Sequence, residues 1–165
     1  MTLWRHLAAV LFLPGTVTVV IPALIVSSRD ARLAVPYLIV LGLLVIAVGA
    51  FLIVDTVRLF VRIGRGTLAP WDPTTQLVVE GPYRRVRNPM ISGVVIVLFG
   101  ESLTFWSTPL ILWALSVFAV NAVYLPMVEE PGLRRRFGPD YDRYRAHVPR
   151  WLPRLHPWHG EETTS

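Results

Sequence analysis

Hydrophobic and polar positions along this chain separate on the scale of whole helices. Leu7 to Val26 and Ala34 to Val54 each run without a charge, and about 20 apolar residues are enough to cross a bilayer core. Met90 to Val128 carries a single charge, Glu101, in 39 residues. That run is too long for one untilted span, and Ser107-Thr108-Pro109 near its middle is a natural break. The pattern predicts a helical hairpin, Ile91 to Trp106 and Pro109 to Leu125, with arms of roughly 24–26 Å. The fold class expected is therefore all-α integral membrane, with four transmembrane helices. Pro14 and Pro22 should kink the first. In the second, Gly42 and Gly49 share one face and permit close helix approach.

The polar stretches between these runs are arginine-rich. Gly81 to Gly93 reads GPYRRVRNPMISG. Arg84, Arg85 and Arg87 can bind anionic groups, while Pro82, Pro89 and the glycines fix the backbone. Glu129 to Arg154 reads EEPGLRRRFGPDYDRYRAHVPRWLPR. Within it Leu133, Phe137, Tyr141, Tyr144 and Val148 recur near helical spacing. This predicts a cytoplasmic, interfacial amphipathic helix over Gly132 to Val148, bent about Gly138-Pro139. Gly66 to Glu80 is rich in turn residues, has a brief extended segment at Leu77 to Val79, and is expected to fold over a site. Arg58, Arg62 and Arg65 fall on one helical face and suit lipid phosphates at a helix end. The layout is one membrane domain, 1–165. Two spans occupy 1–65, a cytoplasmic loop and first motif 66–90, the hairpin 91–128 and a cytoplasmic tail 129–159.

Composition sharpens this picture. Hydrophobic residues make up 53% and charged residues 16%, too apolar for an ordinary soluble domain. Cysteine is absent, which excludes disulfides, thiolate catalysis and cysteine metal sites. All 16 basic residues are arginine, which excludes Schiff-base chemistry and a P-loop lysine. The net charge of +5 does not indicate nucleic acid, because the arginines flank apolar segments and suit lipid headgroups. Arg29 and Arg32 lie in the short loop Ser27 to Leu33, and the other 14 arginines lie in Met1–His6, Asp55–Arg87 and the tail. Four crossings put those three regions on one side, which the positive-inside rule makes cytoplasmic. The expected location is a prokaryotic plasma membrane, with termini and site facing the cytoplasm. No feature indicates an oligomeric state.

Several residues are candidates for chemistry. Glu129 and Glu130 can bind a cationic ligand; the alternative is pairing with Arg134 one turn on. Glu101 is an intramembrane carboxylate, a functional feature by default or else a polar contact within the bundle. In a simple hairpin it lies level with Leu115 and Ser116, with Asn121 nearer the cytosol. Tyr141 and Tyr144 can stack on a flat ligand or anchor the tail at the interface. His6, His147, His156 and His159 lack metal-binding spacing, and GxGxxG, GxSxG and HExxH are all absent. The residues alone predict an arginine- and glutamate-lined site at the cytoplasmic mouth of a four-helix bundle, without naming a reaction.

GPYRRVRNPMISG, a hairpin and then EEPGLRRRFGPDYDRYRAHVPRW together resemble the isoprenylcysteine carboxyl methyltransferase and phospholipid methyltransferase superfamily. Its pattern is RHPxYxG, a hairpin, Glu-Glu and FGxxYxxYxxxVPR, and the likeness covers Gly81 to Pro153. Arg87, Pro89 and Gly93 match the first motif, Glu129 and Glu130 the acidic pair, and Tyr141, Tyr144, Pro149 and Arg150 the tail. Asn88 stands where the family has His, and Ile91 where it has Tyr. The resemblance implies S-adenosylmethionine as methyl donor, bound by Arg87, Asn88, Pro89, Gly93, Glu129, Glu130, Tyr141, Tyr144 and Arg150. Glu129 or Glu130 would take its ammonium and Arg87 or Arg150 its carboxylate, with Glu130 and Arg150 the catalytic pair. A lipophilic acceptor (isoprenoid carboxylate, lipid or amine) would enter from the bilayer past Glu101 and Asn121. Two alternatives stay open: an NADPH-dependent reductase related to sterol reductases, and a non-catalytic membrane scaffold of the same fold.

Overall fold

A computed structural model describes residues 11–27, 33–63 and 76–160. Among these residues every regular element is helical. The N-terminal apolar segment starts as a π-helix, Leu11–Val20, and continues as α1, Ile21–Ser27. Pro14 lies inside the widened turns. A proline ring crowds the carbonyl of the preceding turn, and wider winding relieves that clash. The Thr18 hydroxyl donates to the Pro14 carbonyl at 2.7 Å. The first residues of the expected span, Leu7 to Val10, lie outside the described residues.

α2 spans Pro36–Ile63. It packs antiparallel to α3, Pro89–Thr104, through two glycine pairs. A Cβ on Gly49 would stand 2.7 Å from the Gly93 carbonyl oxygen, and one on Gly100 2.8 Å from that of Gly42. Real Cβ atoms do not tolerate such distances, so the helices touch backbone to backbone where only glycine fits. The close approach expected of Gly42 and Gly49 is thus met by Gly100 and Gly93. The Ala34 N–H donates to the Thr104 carbonyl at 3.1 Å and ties the far ends together.

α3 turns through Phe105–Ser107 into α4, Thr108–Tyr124. The first arm and the start of the second agree with their expected limits within two residues. Val94, Val95, Leu98, Ala114 and Val117 form the core between them. The Trp113 indole N–H donates to the Val17 carbonyl at 3.1 Å and fastens the N-terminal helix to α4.

The second arm does not end at Leu125. A π turn, Leu125–Glu129, carries the helix on into α5, Glu130–Phe137. The Glu130 N–H reaches back five residues to the Leu125 carbonyl. Pro126 lies in that turn and Pro131 follows it, and the wider winding keeps the helix continuous past both. Thr108–Phe137 and Pro36–Leu59 are long and apolar enough to cross a membrane, whereas Pro14–Ser27 and Pro89–Thr104 are shorter.

The amphipathic stretch of the tail forms two helices. Gly138, with φ +53° and ψ −129°, occupies backbone space open to glycine and separates α5 from α6, Pro139–His147. Tyr141, Tyr144 and Val148 are buried, with Leu77, Val79, Leu133, Phe137 and Trp158 packed around them. The expected periodicity therefore marks a small core of the tail, and neither tyrosine serves as an interfacial anchor.

Candidate active site

Backbone hydrogen bonds bring the two arginine-rich stretches together. The Arg87 N–H donates to the Pro149 carbonyl, the Arg154 N–H to Arg85 and the Trp158 N–H to Arg84, each at 2.9 Å. The last part of the tail thus lies alongside residues 84–87, just before α3 begins. The Tyr144 hydroxyl donates to the Tyr83 carbonyl at 2.7 Å, adding a side-chain tie.

Glu130 is the hub of this junction and is only 6% exposed. Its Oε1 accepts from Arg87 at 2.9 Å and from Arg150 at 2.7 Å. Its Oε2 lies 3.9 Å from Arg145. The alternative of pairing one turn on does not form, since Arg134 binds Asp142 at 3.0 Å. The hydrogen bond it donates to Glu130 holds the Arg150 guanidinium above its ordinary pKa. Burial pushes the Tyr141 and Tyr144 phenols up, as it does Tyr83, beside Tyr144 and Glu129. All three phenols therefore stay protonated at neutral pH and remain hydrogen-bond donors.

Glu129, the other half of the acidic pair, faces a separate cleft. That cleft is lined by Val78, Tyr83, Arg87, Asn88, Glu129 and Tyr141, with Leu77, Leu133, Phe137 and Tyr144 completing it. Among the described residues Glu129 has no hydrogen-bond or ion-pair partner. The Nε of Arg87 is buried without a partner as well. A carboxylate without a partner and the Arg87 side chain therefore line one space.

The other expected site residues divide. Arg87, Asn88, Glu129, Tyr141 and Tyr144 line the cleft, while Glu130 and Arg150 stand behind it as an ion-paired support. Pro89 is fully buried as the first residue of α3, and Gly93 serves the contact with α2, 2.9 Å from Ile53 and the Gly49 carbonyl if a Cβ were added. Arg84 and Arg85 do not reach the cleft; they donate to the carbonyls of Val79 and Leu155. Glu101 is one turn from the hairpin tip, with Oε2 buried and unpartnered. It lies about 21 Å along α3 from Arg87, and the earlier turn places it level with the start of α4, not with Leu115 and Ser116. The Asn121 amide donates to its own helix, at the Val117 carbonyl, at 2.8 Å. Leu77, Val78, Tyr83, Leu133 and Phe137 were not singled out for the site. The loop expected to cover it carried the only signal for Leu77 and Val78. Its residues 64–75 lie outside the described residues, and Leu77–Val78 do line the cleft.

A family model described as phospholipid methyltransferase matches residues 37–140. The chain belongs to the phospholipid methyltransferase family. The match runs from α2 through Arg87, the hairpin and both glutamates, and stops one residue before Tyr141. Comparison with curated proteins and with solved structures returns no match. Family membership and the apolar helices make the chain a membrane methyltransferase.

Proposed function

We propose that the chain transfers a methyl group from S-adenosylmethionine to a lipophilic acceptor (isoprenoid carboxylate, lipid or amine) held in the bilayer. The observation that carries this reading is that Glu129, whose carboxylate has no partner among the described residues, and Arg87 line one cleft. Their chemistry fits a zwitterionic amino-acid group, which the donor carries. Glu129 would accept from the ammonium, and the Arg87 guanidinium would hold the carboxylate. When bound, the donor supplies a methyl group activated on a sulfonium.

The remaining residues position and enclose. Glu130 fixes Arg87 and Arg150 through a shared oxygen, so it is a positioning residue. Arg150 is 27% exposed and meets the acceptor. Asn88 precedes α3 with its side chain free of a capping bond, so its amide can contact the donor. Pro89 and Gly93 set where α3 begins and how closely it packs. Methyl transfer is a displacement, so holding both reactants in line supplies most of the catalysis asked of these side chains. Glu101 and Asn121 lie deeper on the hairpin, where they border the acceptor's tail rather than its reacting group. The site faces the cytoplasm of a four-crossing protein, because every described arginine lies at its end of the bundle.

The test is calorimetry on the full chain in nanodiscs with S-adenosylhomocysteine, the donor's demethylated product. Binding should occur without competition from NADPH. Glu129→Gln should weaken it ~10- to 100-fold, the range for one charge-assisted hydrogen bond. A folded wild type that binds neither donor nor product would overturn the reading and leave the scaffold in its place.

A further inference from the structure

Tyr141 and Tyr144 are buried in the tail's own small core, so they do not tie the tail to a bilayer. Another part of the tail reaches the apolar helices. The Arg87 N–H donates to the Pro149 carbonyl and the Arg154 N–H to the Arg85 carbonyl, each at 2.9 Å. Between these two anchors the chain leaves the arginine stretch as a short loop, Arg150-Trp151-Leu152-Pro153. Arg150 pins the start of the loop to Glu130 at 2.7 Å. By Leu155 the chain is back beside Arg85, whose guanidinium donates to the Leu155 carbonyl at 2.8 Å.

Two observations say what the loop meets. The Trp151 ring packs on the Phe118 ring, with centroids 5.0 Å apart and planes at 54°. Phe118 belongs to α4, ~18 Å along the helix from Glu130 and ~15 Å from Thr108. It therefore lies well inside a stretch long and apolar enough to cross a membrane. Its neighbours Leu115 and Val120 are exposed, so this side of α4 faces away from the bundle. The second observation is Leu152, next in the chain, which is 81% exposed. An apolar side chain standing free in water is ordinary. One standing free beside a ring on the outer face of a crossing helix has acyl chains around it. Tryptophan suits such a boundary, since its ring is apolar and its N–H can reach toward the headgroups.

We infer that residues 150–153 form a wedge inserted into the bilayer leaflet at the Arg87 end of the bundle. Leu152 lies among the acyl chains, and Trp151 seals the wedge against α4. The partner of this surface is lipid. The inference rests on α4 crossing the membrane, as in the reading above, and on no property of the cleft at Glu129. It gives the tail the bilayer anchor that the tyrosines do not provide. It also places Arg150 at the foot of the wedge, so a lipophilic acceptor rising to Arg150 runs along Trp151 and Leu152.

The chain has no cysteine, so a nitroxide can be attached at one chosen position. Full-length Leu152→Cys, Val120→Cys and Asp140→Cys are labelled in nanodiscs, and each label's collisions with oxygen and with an aqueous nickel chelate are measured. Oxygen concentrates among acyl chains and the chelate stays in water. Val120, 66% exposed on α4, is the lipid reference, and Asp140, exposed on α6, is the aqueous one. The label at 152 should match that at 120, with frequent oxygen collisions and few nickel collisions. Pro153→Cys, also exposed, gives the same reading should Leu152→Cys fail to fold. Nickel collisions at the level of Asp140→Cys would put the loop in water and overturn the inference. Few collisions with either reagent would mean that protein covers the loop, and would overturn it as well. Water-like behaviour of Val120→Cys would remove the crossing of α4 and the wedge with it. No donor enters the measurement, so a folded chain that binds no S-adenosylhomocysteine overturns the proposed function and leaves the wedge in place.

Discussion

Glu129 and Glu130 are neighbours in sequence with opposite surroundings. Glu130 is buried between Arg87 and Arg150, while Glu129 borders a cleft with no partner. Their substitutions should therefore separate. Glu130→Gln leaves two partly buried guanidinium groups without their shared anion, and breaking a buried pair costs about 3–5 kcal/mol. Arg150 is partly exposed, so the lower end of that range is expected, read as a large drop in melting temperature in detergent. Glu129→Gln should change the melting temperature little and weaken donor binding instead. Equal stability losses in the two variants would refute this division. The pair itself was legible in the sequence, but the division was not. A π turn adds one residue to the winding and rotates everything after it by about 100°. Pro126 and Pro131 are compatible with a break in the helix, and nothing in their spacing distinguishes a break from a widened turn.

At the scale of elements, the contact of α2 with α3 fixes where the site forms. Arg87 and Asn88 directly precede α3, so any sliding of α3 along α2 moves them relative to Glu129. Gly49 sits at that contact, where an added Cβ would meet the Gly93 carbonyl oxygen at 2.7 Å and the Val97 backbone nitrogen at 2.8 Å. Neither backbone atom can swing aside as a side chain would. Gly49→Ala should therefore destabilise by ~1–3 kcal/mol, the usual cost of overpacking. Gly132, in α5, has nothing within 4 Å of its virtual Cβ. Gly132→Ala should gain up to about 1 kcal/mol from helix propensity. Thermal melts of the two variants should move in opposite directions; a shared direction would mean that the helices are not in backbone contact. The seven-residue spacing of Gly42 and Gly49 revealed the first half of this contact. Gly93 was instead assigned to the cofactor through the motif it belongs to, because a motif does not distinguish glycines that meet a ligand from glycines that meet a helix. The tail shows the reverse case. Its apolar periodicity was correct residue by residue, yet it describes a core shared by two helices, since Gly138 redirects the chain between them.

On the scale of the whole molecule, charge and length together carry the proposed orientation. Ala34 is hydrogen-bonded to Thr104 at one end of the bundle, and Arg87 to Glu130 at the other. All described arginines lie at the second end, so the positive-inside rule makes that end cytoplasmic in the proposed topology. The hairpin arms differ in length: Glu130 lies ~33 Å along its helix from Thr108, and Arg87 ~26 Å along its own from Thr104. The long Arg87 side chain closes that gap from the shorter arm, which places the ion-paired hub at the edge of a hydrocarbon core ~30 Å thick. In the proposed four-crossing topology the hairpin tip lies at the opposite headgroups. The absence of cysteine allows a direct check with single-cysteine variants and a membrane-impermeant maleimide. Trp106, at the tip, is 65% exposed, and Leu155, in the tail, 86%. Trp106→Cys should react in intact cells, and Leu155→Cys only after the membrane is opened. Labelling of both from one side would remove the crossing between them. Failure of Trp106→Cys to react from either side would mean that the tip stays within the bilayer, and the hairpin would then be re-entrant rather than two crossings.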